Sequence, residues 1–245
     1  MSIPELSGNF CGLKTKKSAA EKIFCEILSG RESLIAGKDY RSSKKPGVTA
    51  AVAKIKGAFK QLGFTLTSSG EDQYVIDRKP LEELHQILGI KLTPVGALFG
   101  QSSLQALSTA LWAKLQQKKN WRFEAARTEL PQPDLSKGRE EAGKILKRLN
   151  KQKDVASGWD LRGLLESADD DKSGFVKNVI NGYRILGLLS TDKPQEDELI
   201  AANYRFQLLA QVSSNHKLAG KLGPSTFNAL KTALGKAARG ENWVQ

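Results

Sequence analysis

The side chains that most often carry enzyme chemistry are scarce in this sequence of 245 residues, which contains two histidines and two cysteines. Neither His85 nor His216 is accompanied by a ligand set of carboxylates or cysteines. The chain also lacks the residue spacings of zinc proteases, serine hydrolases, P-loop enzymes and dinucleotide-binding domains. We therefore expect structural roles for both histidines. The sequence predicts a protein that is not an enzyme and has no catalytic residue, metal or cofactor.

The two cysteines, Cys11 and Cys25, are too few for a disulfide framework or, by themselves, for a zinc site with four ligands. This usage agrees with a reducing compartment. The first ten residues lack the basic flank and apolar core of a secretion signal, and no apolar run approaches the ~18 residues of a membrane span. We expect an intracellular protein, in the cytoplasm or, if it is a nucleoprotein, in a virion.

Basic residues exceed acidic ones, with 38 Lys and Arg against 26 Asp and Glu, so the formal net charge is +12. Residues 1–60, 101–160 and 201–245 hold the excess, whereas 61–100 and 161–200 are acidic. A surface that is charged only for solubility more often mixes the two signs. Segregated cations favour a polyanion, because neutralising phosphates releases condensed counterions. A purely solubilising charge is the alternative.

The most informative basic element is residues 139–151. Four of its cations are spaced at i, i+3, i+4 and i+7 and so form one stripe of a helix, namely Lys144, Lys147, Arg148 and Lys151. Ile145 and Leu149 supply an apolar side. A row of cations on one face suits a phosphate backbone. The alternative is a solvated face, on which Glu140 pairs with Lys144 four residues later.

Eight lysines in the first sixty residues are further candidates for phosphate contact, because few acids neutralise them. Three of them precede the first predicted helix, and two precede the second. The other three lie within the second helix, away from its apolar face. They are Lys14, Lys16, Lys17, Lys44, Lys45, Lys54, Lys56 and Lys60.

A run at 118–123 interleaves cations with aromatic rings and adds four candidates for nucleic-acid binding, Lys118, Lys119, Trp121 and Arg122. Aromatic rings stack on bases while cations follow the backbone, so the run suits a single strand. The alternative is that its rings pack in the core.

Helices must position most of these side chains. From Val48 to Leu62, apolar residues recur at +3 and +4 and predict a helix that ends at Gly63. Two short β-prone runs then flank a turn-rich loop and predict a β-hairpin over about residues 64–77. Further helices are predicted at 18–28, from Pro80, from Ser102 or Ser103, and at 139–151, 158–167, 175–188, 195–213 and 225–238. The predicted fold class is mainly α, with two helical lobes and one small hairpin in the N-terminal lobe.

The segment 128–138 contains two prolines and ends in glycine, which is typical of a linker between lobes. The predicted organisation is therefore an N-terminal arm (1–17), an N-terminal helical lobe with the hairpin (18–127), the linker (128–138), a C-terminal helical lobe (139–235) and a C-terminal tail (236–245).

The order helix, strand, glycine-containing turn, strand over 48–77 resembles the recognition helix and wing of winged-helix DNA-binding domains. The resemblance implies a DNA-binding regulator or replication initiator. Glu71 and Asp72 lie at the would-be wing tip, where carboxylates repel phosphate oxygens.

The segment 169–176 looks like the first eight positions of an EF-hand calcium loop, with Asp169, Asp171 and Ser173 at ligand positions and Gly174 at the turn. Position 12 is Ile180 instead of a bidentate glutamate. We therefore expect no tight calcium site and, alternatively, an acidic turn that starts a helix.

The leading hypothesis is a non-enzymatic, largely sequence-independent nucleic-acid-binding protein: a nucleoprotein that coats single-stranded RNA and assembles as a homo-oligomer. The second is the winged-helix regulator or replication initiator. The third is a protein-interaction or effector module, which would bind no nucleic acid above background.

Overall fold

The computed structural model shows a mainly α-helical protein, which confirms the predicted fold class. It describes residues 10–13, 16–29, 38–39, 46–66, 78–90, 98–99, 101–116, 120–128, 135–151, 159–163, 165 and 170–244.

Nine helices of at least eight residues lie in the described part of the chain. They are α1 (Ala19–Ser29), α2 (Pro46–Gln61), α3 (Arg78–Leu88), α4 (Gln101–Gln116), α5 (Trp121–Thr128), α6 (Leu135–Lys151), α7 (Asp170–Ile185), α8 (Glu196–Leu209) and α9 (Pro224–Arg239).

Two antiparallel pairs of two-residue strands accompany the helices. They are β1 (Lys38–Asp39) with β2 (Leu98–Phe99) and β3 (Trp159–Asp160) with β4 (Lys221–Leu222). Most of the predicted hairpin over 64–77 lies outside the described residues, and 64–66, the part that is described, contains no strand. The described β-pairing in the first half of the chain is therefore made by β1 and β2.

The chain forms two compact units. The first comprises Met1–His85 and Ile90–Ala125, and the second comprises Gln86–Gly89 and Ala126–Gln245. The division therefore falls within α5, before the predicted linker. Gly138, the last residue of that predicted linker, lies inside α6, where an added Cβ would be 3.6 Å from the Ile185 side chain.

In the first unit, α2 follows its predicted pattern. Val52, Ile55, Phe59 and Leu62 are all buried, because the i, i+3, i+7 spacing places them on one side of the helix. The chain leaves the helix at Gly63, whose φ of 86° is in the left-handed region that glycine adopts without steric cost.

The second unit is built around α8, whose residues from Ala202 to Leu209 are all buried. The buried side chains include polar ones with defined partners. Tyr183 Oη donates to Asn203 Oδ1 at 2.6 Å, and Asn203 Nδ2 donates to the carbonyl of Ala219 at 2.6 Å. Gln207 Nε2 donates to the carbonyl of Lys221 at 2.8 Å. These bonds fix the turn that leads into β4 against α8.

The predicted C-terminal tail, 236–245, is packed against the second unit. Helix α9 continues through Arg239, and Gly240 ends it with a φ of 75°. Trp243 is 3% exposed, and its ring stacks on Phe206 at 5.6 Å between centroids. Burial of this indole removes a large apolar surface from water, which holds the tail in place.

The predicted N-terminal arm, 1–17, is also held to its unit where it is described. Phe10 contacts Trp112 edge-on at 5.6 Å between ring centroids, and Cys11 forms a disulfide with Cys25. The sequence indicated reduced thiols, since two cysteines make no disulfide framework. The structure instead places the Cα atoms of the two cysteines 5.5 Å apart, a separation that a disulfide spans.

We predict that Trp243→Ala lowers the free energy of unfolding by about 3–5 kcal/mol, because truncating a buried tryptophan leaves a cavity. Trp243→Phe is the matched control and should cost less than Trp243→Ala, because a ring remains against Phe206 and the cavity left is smaller. In addition, Nε1 of Trp243 has no hydrogen-bond partner to lose in the described part of the chain. Urea denaturation followed by circular dichroism measures both values, and equal costs would contradict the packing.

A second prediction concerns pH. The hydrogen bond from Lys221, with Arg162 nearby, lowers the pKa of Asp160. The pairing therefore stabilises the folded state above the unfolded pKa of about 3.9, and this stabilisation is lost as the pH falls through the lower folded pKa. We expect Lys221→Met to reduce the free energy of unfolding at pH 6 by less than about 1 kcal/mol, since the pair is half-exposed. Urea denaturation at pH 6 and below pH 3 should show this difference shrinking with acid, and Lys221→Arg should preserve it.

Candidate nucleic-acid interface

Helix α6 presents the predicted row of cations to solvent. Lys144, Lys147, Arg148 and Lys151, called here the basic stripe, are all exposed. On the opposite side of the helix, Ala142, Ile145 and Leu149 are at most 1% exposed. The packing of α6 against α7 and α9 therefore determines which way the cations face.

Close helix packing keeps α6 in this orientation. A Cβ added at Gly235 of α9 would lie 3.8 Å from the Leu146 side chain, and one added at Gly138 would lie 3.6 Å from Ile185 of α7. These are ordinary contact distances, so the neighbouring helices touch α6 through small residues and large apolar ones. A rotation of α6 that brought the basic stripe inward would break both contacts.

One member of the basic stripe has an acidic partner. Lys144 Nζ lies 2.6 Å from Glu140 Oε1, and this hydrogen bond lowers the pKa of Glu140 and raises the pKa of Lys144. Because both side chains are solvated, water and salt screen the pair. Lys147, Arg148 and Lys151 form no ion pair with any residue that the structure describes. The ion pair at i and i+4 that was the alternative prediction for this helix is therefore present, and three further cations of the stripe face solvent.

The predicted cations of the first unit are less uniform. Lys16, Lys54 and Lys60 are exposed, whereas Lys56 is half-buried and has an interaction partner. Lys17 Nζ donates to the carbonyl of Leu13 at 2.5 Å. Five other candidates lie outside the described residues, namely Lys14, Lys44, Lys45, Lys118 and Lys119.

Trp121 is not a stacking platform, which corrects the prediction for that residue. Its side chain is 5% exposed, and its Nε1 donates to the carbonyl of Leu62 at 3.1 Å. Its ring also meets Phe64 at 6.0 Å between centroids. A base could stack on this indole only if the core around it opened, so the alternative prediction, core packing, applies.

Arg122 is likewise held by neighbouring side chains. Its Nε donates to Glu83 Oε1 at 2.7 Å, and the guanidinium lies 4.6 Å from the centre of the Trp121 ring. The Glu83 side chain is only 10% exposed, so taking Arg122 away would leave a largely buried carboxylate without its cation. We therefore remove Arg122 from the candidate contacts. Sequence reasoning missed Glu83 because it lies 39 residues before its partner and no local pattern links them.

The histidines and the acidic segment lie in structural settings. His85 is buried, with Nε2 3.0 Å from Ser103 Oγ, and the His216 ring packs edge-on against Tyr204 at 5.2 Å. The segment resembling a calcium loop is helical from Asp170 onward. This corrects the resemblance, because successive helical residues point in different directions and cannot encircle an ion.

No group of three His, Cys, Asp or Glu side chains in the described ranges could hold a metal ion. None of the described helices is both long and apolar enough to cross a bilayer.

The chain matches no protein-family model, no curated protein and no solved structure.

We predict that Trp121→Phe reduces the free energy of unfolding by about 1–3 kcal/mol, because the buried carbonyl of Leu62 loses its donor. Affinity for single-stranded RNA, measured under conditions in which the variant is folded, should stay unchanged. Urea denaturation and fluorescence anisotropy measure the two quantities. A variant of parental stability with weakened RNA binding would return Trp121 to the interface.

Proposed function

We propose that this protein binds nucleic acid through phosphate contacts made by the basic stripe of α6, without enzymatic chemistry and largely without regard to base sequence. The observation that carries the proposal is the exposure of all four cations on a helix whose other side is buried. Their positions are thus set before any ligand arrives, which limits the entropy lost on binding.

The dimensions of the basic stripe fit a phosphate chain. From Lys144 to Lys151 the helix rises by about 10 Å, over which one strand of a duplex presents about three phosphates. Like charges at this density repel one another, and Arg148 opposes the rise in the pKa of Lys144. A polyanion relieves that repulsion and releases its own counterions.

The chemistry of the stripe favours binding that is independent of sequence. Lysine and arginine contact phosphates wherever they occur, whereas base readout needs side chains that reach base edges or stack on them. The aromatic candidate, Trp121, is buried. The stripe itself offers a flexible strand several cations at which its phosphates can be held, Lys147, Arg148 and Lys151 among them.

The finer part of the proposal is that the chain coats single-stranded RNA as a homo-oligomeric nucleoprotein, in the cytoplasm or a virion. The support is the blockwise distribution of the +12 charge, which suits a long polyanion better than a small ligand. A coating protein should occupy a fixed number of nucleotides per chain, and its particles should contain nucleic acid on purification.

Titration of labelled oligouridylate and of a mixed-sequence DNA duplex, at about 50 and 200 mM salt, tests the proposal. We expect binding to both that weakens with salt, with tighter binding to the single strand and a fixed site size. Preference for one duplex sequence would favour a regulator instead. Binding to neither would overturn the proposal and favour a protein-interaction module.

We predict that replacing all four residues of the basic stripe by alanine lowers the magnitude of the salt slope for single-stranded RNA by about 2–3 units, as expected if each cation contacts one phosphate. The side chains are exposed and alanine has high helix propensity, so the fold should persist.

The matched control replaces four exposed lysines on separate elements, Lys114, Lys177, Lys193 and Lys217. Both variants lose four positive charges from the parental +12. If net charge alone attracts RNA, the two slopes fall equally, and the basic stripe is not the contact. Isothermal titration or anisotropy at four salt concentrations distinguishes the cases.

A further inference from the structure

A disulfide ties the first described residues of the chain to α1. Cys11 lies in a single helical turn at residues 10–12, and Cys25 lies within α1, 14 residues later. Both residues are half-buried rather than enclosed in the core. The bond therefore closes a loop that contains Lys16 and Lys17.

Within residues 10–13 and 16–17, ring contacts and two hydrogen bonds accompany the disulfide. The ring of Phe10 contacts Trp112 and Phe24 at centroid distances of 5.6 and 6.4 Å. The turn has one long backbone hydrogen bond, from Leu13 N to the Phe10 carbonyl at 3.4 Å. Leu13 itself is 54% exposed. Lys17 Nζ also donates to the Leu13 carbonyl at 2.5 Å. Both hydrogen bonds lie within the segment, so the Phe10 ring and the disulfide are the described contacts that tie it to the rest of the unit.

Helix α1 does not share this dependence, because a capping box starts it. The amide of Ser18 donates to Glu21 Oε2 at 2.6 Å, and the amide of Glu21 donates to Ser18 Oγ at 3.3 Å. These reciprocal bonds satisfy the first turn of the helix from within. In addition, Phe24 and Ile27 anchor α1 in the core. Opening of the segment should therefore stop at Ser18.

We propose that the Cys11–Cys25 disulfide is a redox-operated clasp, whose reduction releases the described residues 10–13 and 16–17 and uncovers the apolar surface of Phe24 and Trp112 beneath Phe10. A thiolate of the glutathione or dithiothreitol class attacks one sulfur and forms a mixed disulfide. A second thiolate of the reductant then displaces the protein sulfur. Two electrons and two protons pass to the protein, leaving two cysteine thiols and the oxidised reductant.

Whether the clasp is open or closed would depend on the redox conditions of the compartment that contains the protein. Thiols stay reduced in the cytosol and pair under oxidising conditions. The segment would be released in a reducing environment and closed after transfer to an oxidising one. This inference does not depend on nucleic-acid binding, since neither the clasp nor its test involves α6.

Limited trypsin digestion of the full chain tests the clasp. The protein is purified without reductant and digested with and without dithiothreitol, and mass spectrometry follows cleavage after Lys16, Lys17 and Lys22. We expect reduction to accelerate cleavage after Lys16 and Lys17 by about tenfold or more, because the loop loses its covalent constraint. Cleavage after Lys22, an exposed lysine inside α1, should not change. A fluorescent dye that binds apolar surface should brighten on reduction.

The variant C11S/C25S is the matched control, because the chain has no other cysteine. It should be cut rapidly after Lys16 and Lys17 whether or not reductant is present. The proposal is overturned if reductant leaves wild-type cleavage unchanged, or if it changes cleavage of the variant equally. Equal acceleration after Lys22 would also overturn it by showing that α1 unfolds. Alkylation of both cysteines in the protein purified without reductant would show that the disulfide does not form.

Discussion

The burial of one side of α6 is the constraint on which the charge pattern of the second unit depends. Ala142, Ile145 and Leu149 gain stability by leaving water, at about 25 cal/mol per Å² of apolar surface. Because the helical period fixes the direction of every side chain, the residues between these apolar positions must point in other directions. The cations from Lys144 to Lys151 face solvent because the apolar residues face inward. Hydrophobic packing, rather than attraction between charges, thus creates the electropositive surface.

The buried helix α8 imposes a different requirement on the same unit. Polar side chains in a core are costly unless they form hydrogen bonds. The side-chain amide nitrogens of Asn203 and Gln207 donate to backbone carbonyls near β4, whereas Oε1 of Gln207 has no partner in the described part of the chain. Their bonds hold the strand whose Lys221 reaches Asp160 at 2.7 Å. The chain then enters α9 at Pro224, directly after β4. The polar contacts of α8 therefore position α9, one of the two helices that support α6.

Local patterns predicted those parts of the molecule that depend on neighbours in sequence. The inward face of α2, the cation spacing of α6 and the start of α9 after Gly223 all follow from periodicity or from turn chemistry within a few residues. The environment of Trp121 did not follow, because its hydrogen-bond acceptor lies 59 residues earlier. The strand pairs were not predicted either, because strands of two residues carry no sequence pattern of their own. Their partners are also distant in sequence, as Asp160 and Lys221 are 61 residues apart. The spacing and exposure of the basic stripe could thus be predicted from sequence, whereas the burial of Trp121 and the ion pair of Arg122 with Glu83 could not.

The late position of Trp243 affects the order in which the protein is made and folded. The first unit is complete in sequence at Ala125, whereas the second includes an indole that covers Phe206 and is synthesised about 120 residues later. At typical elongation rates of about 5–20 residues per second, this delay is roughly 10 s. Phe206 precedes Trp243 by 37 residues, so for about 2–7 s of this delay its ring is made but not yet covered by the indole. Nascent α8 therefore leaves an apolar ring uncovered until the indole follows it out of the ribosome, and transiently exposed surface of this kind is what chaperones shield.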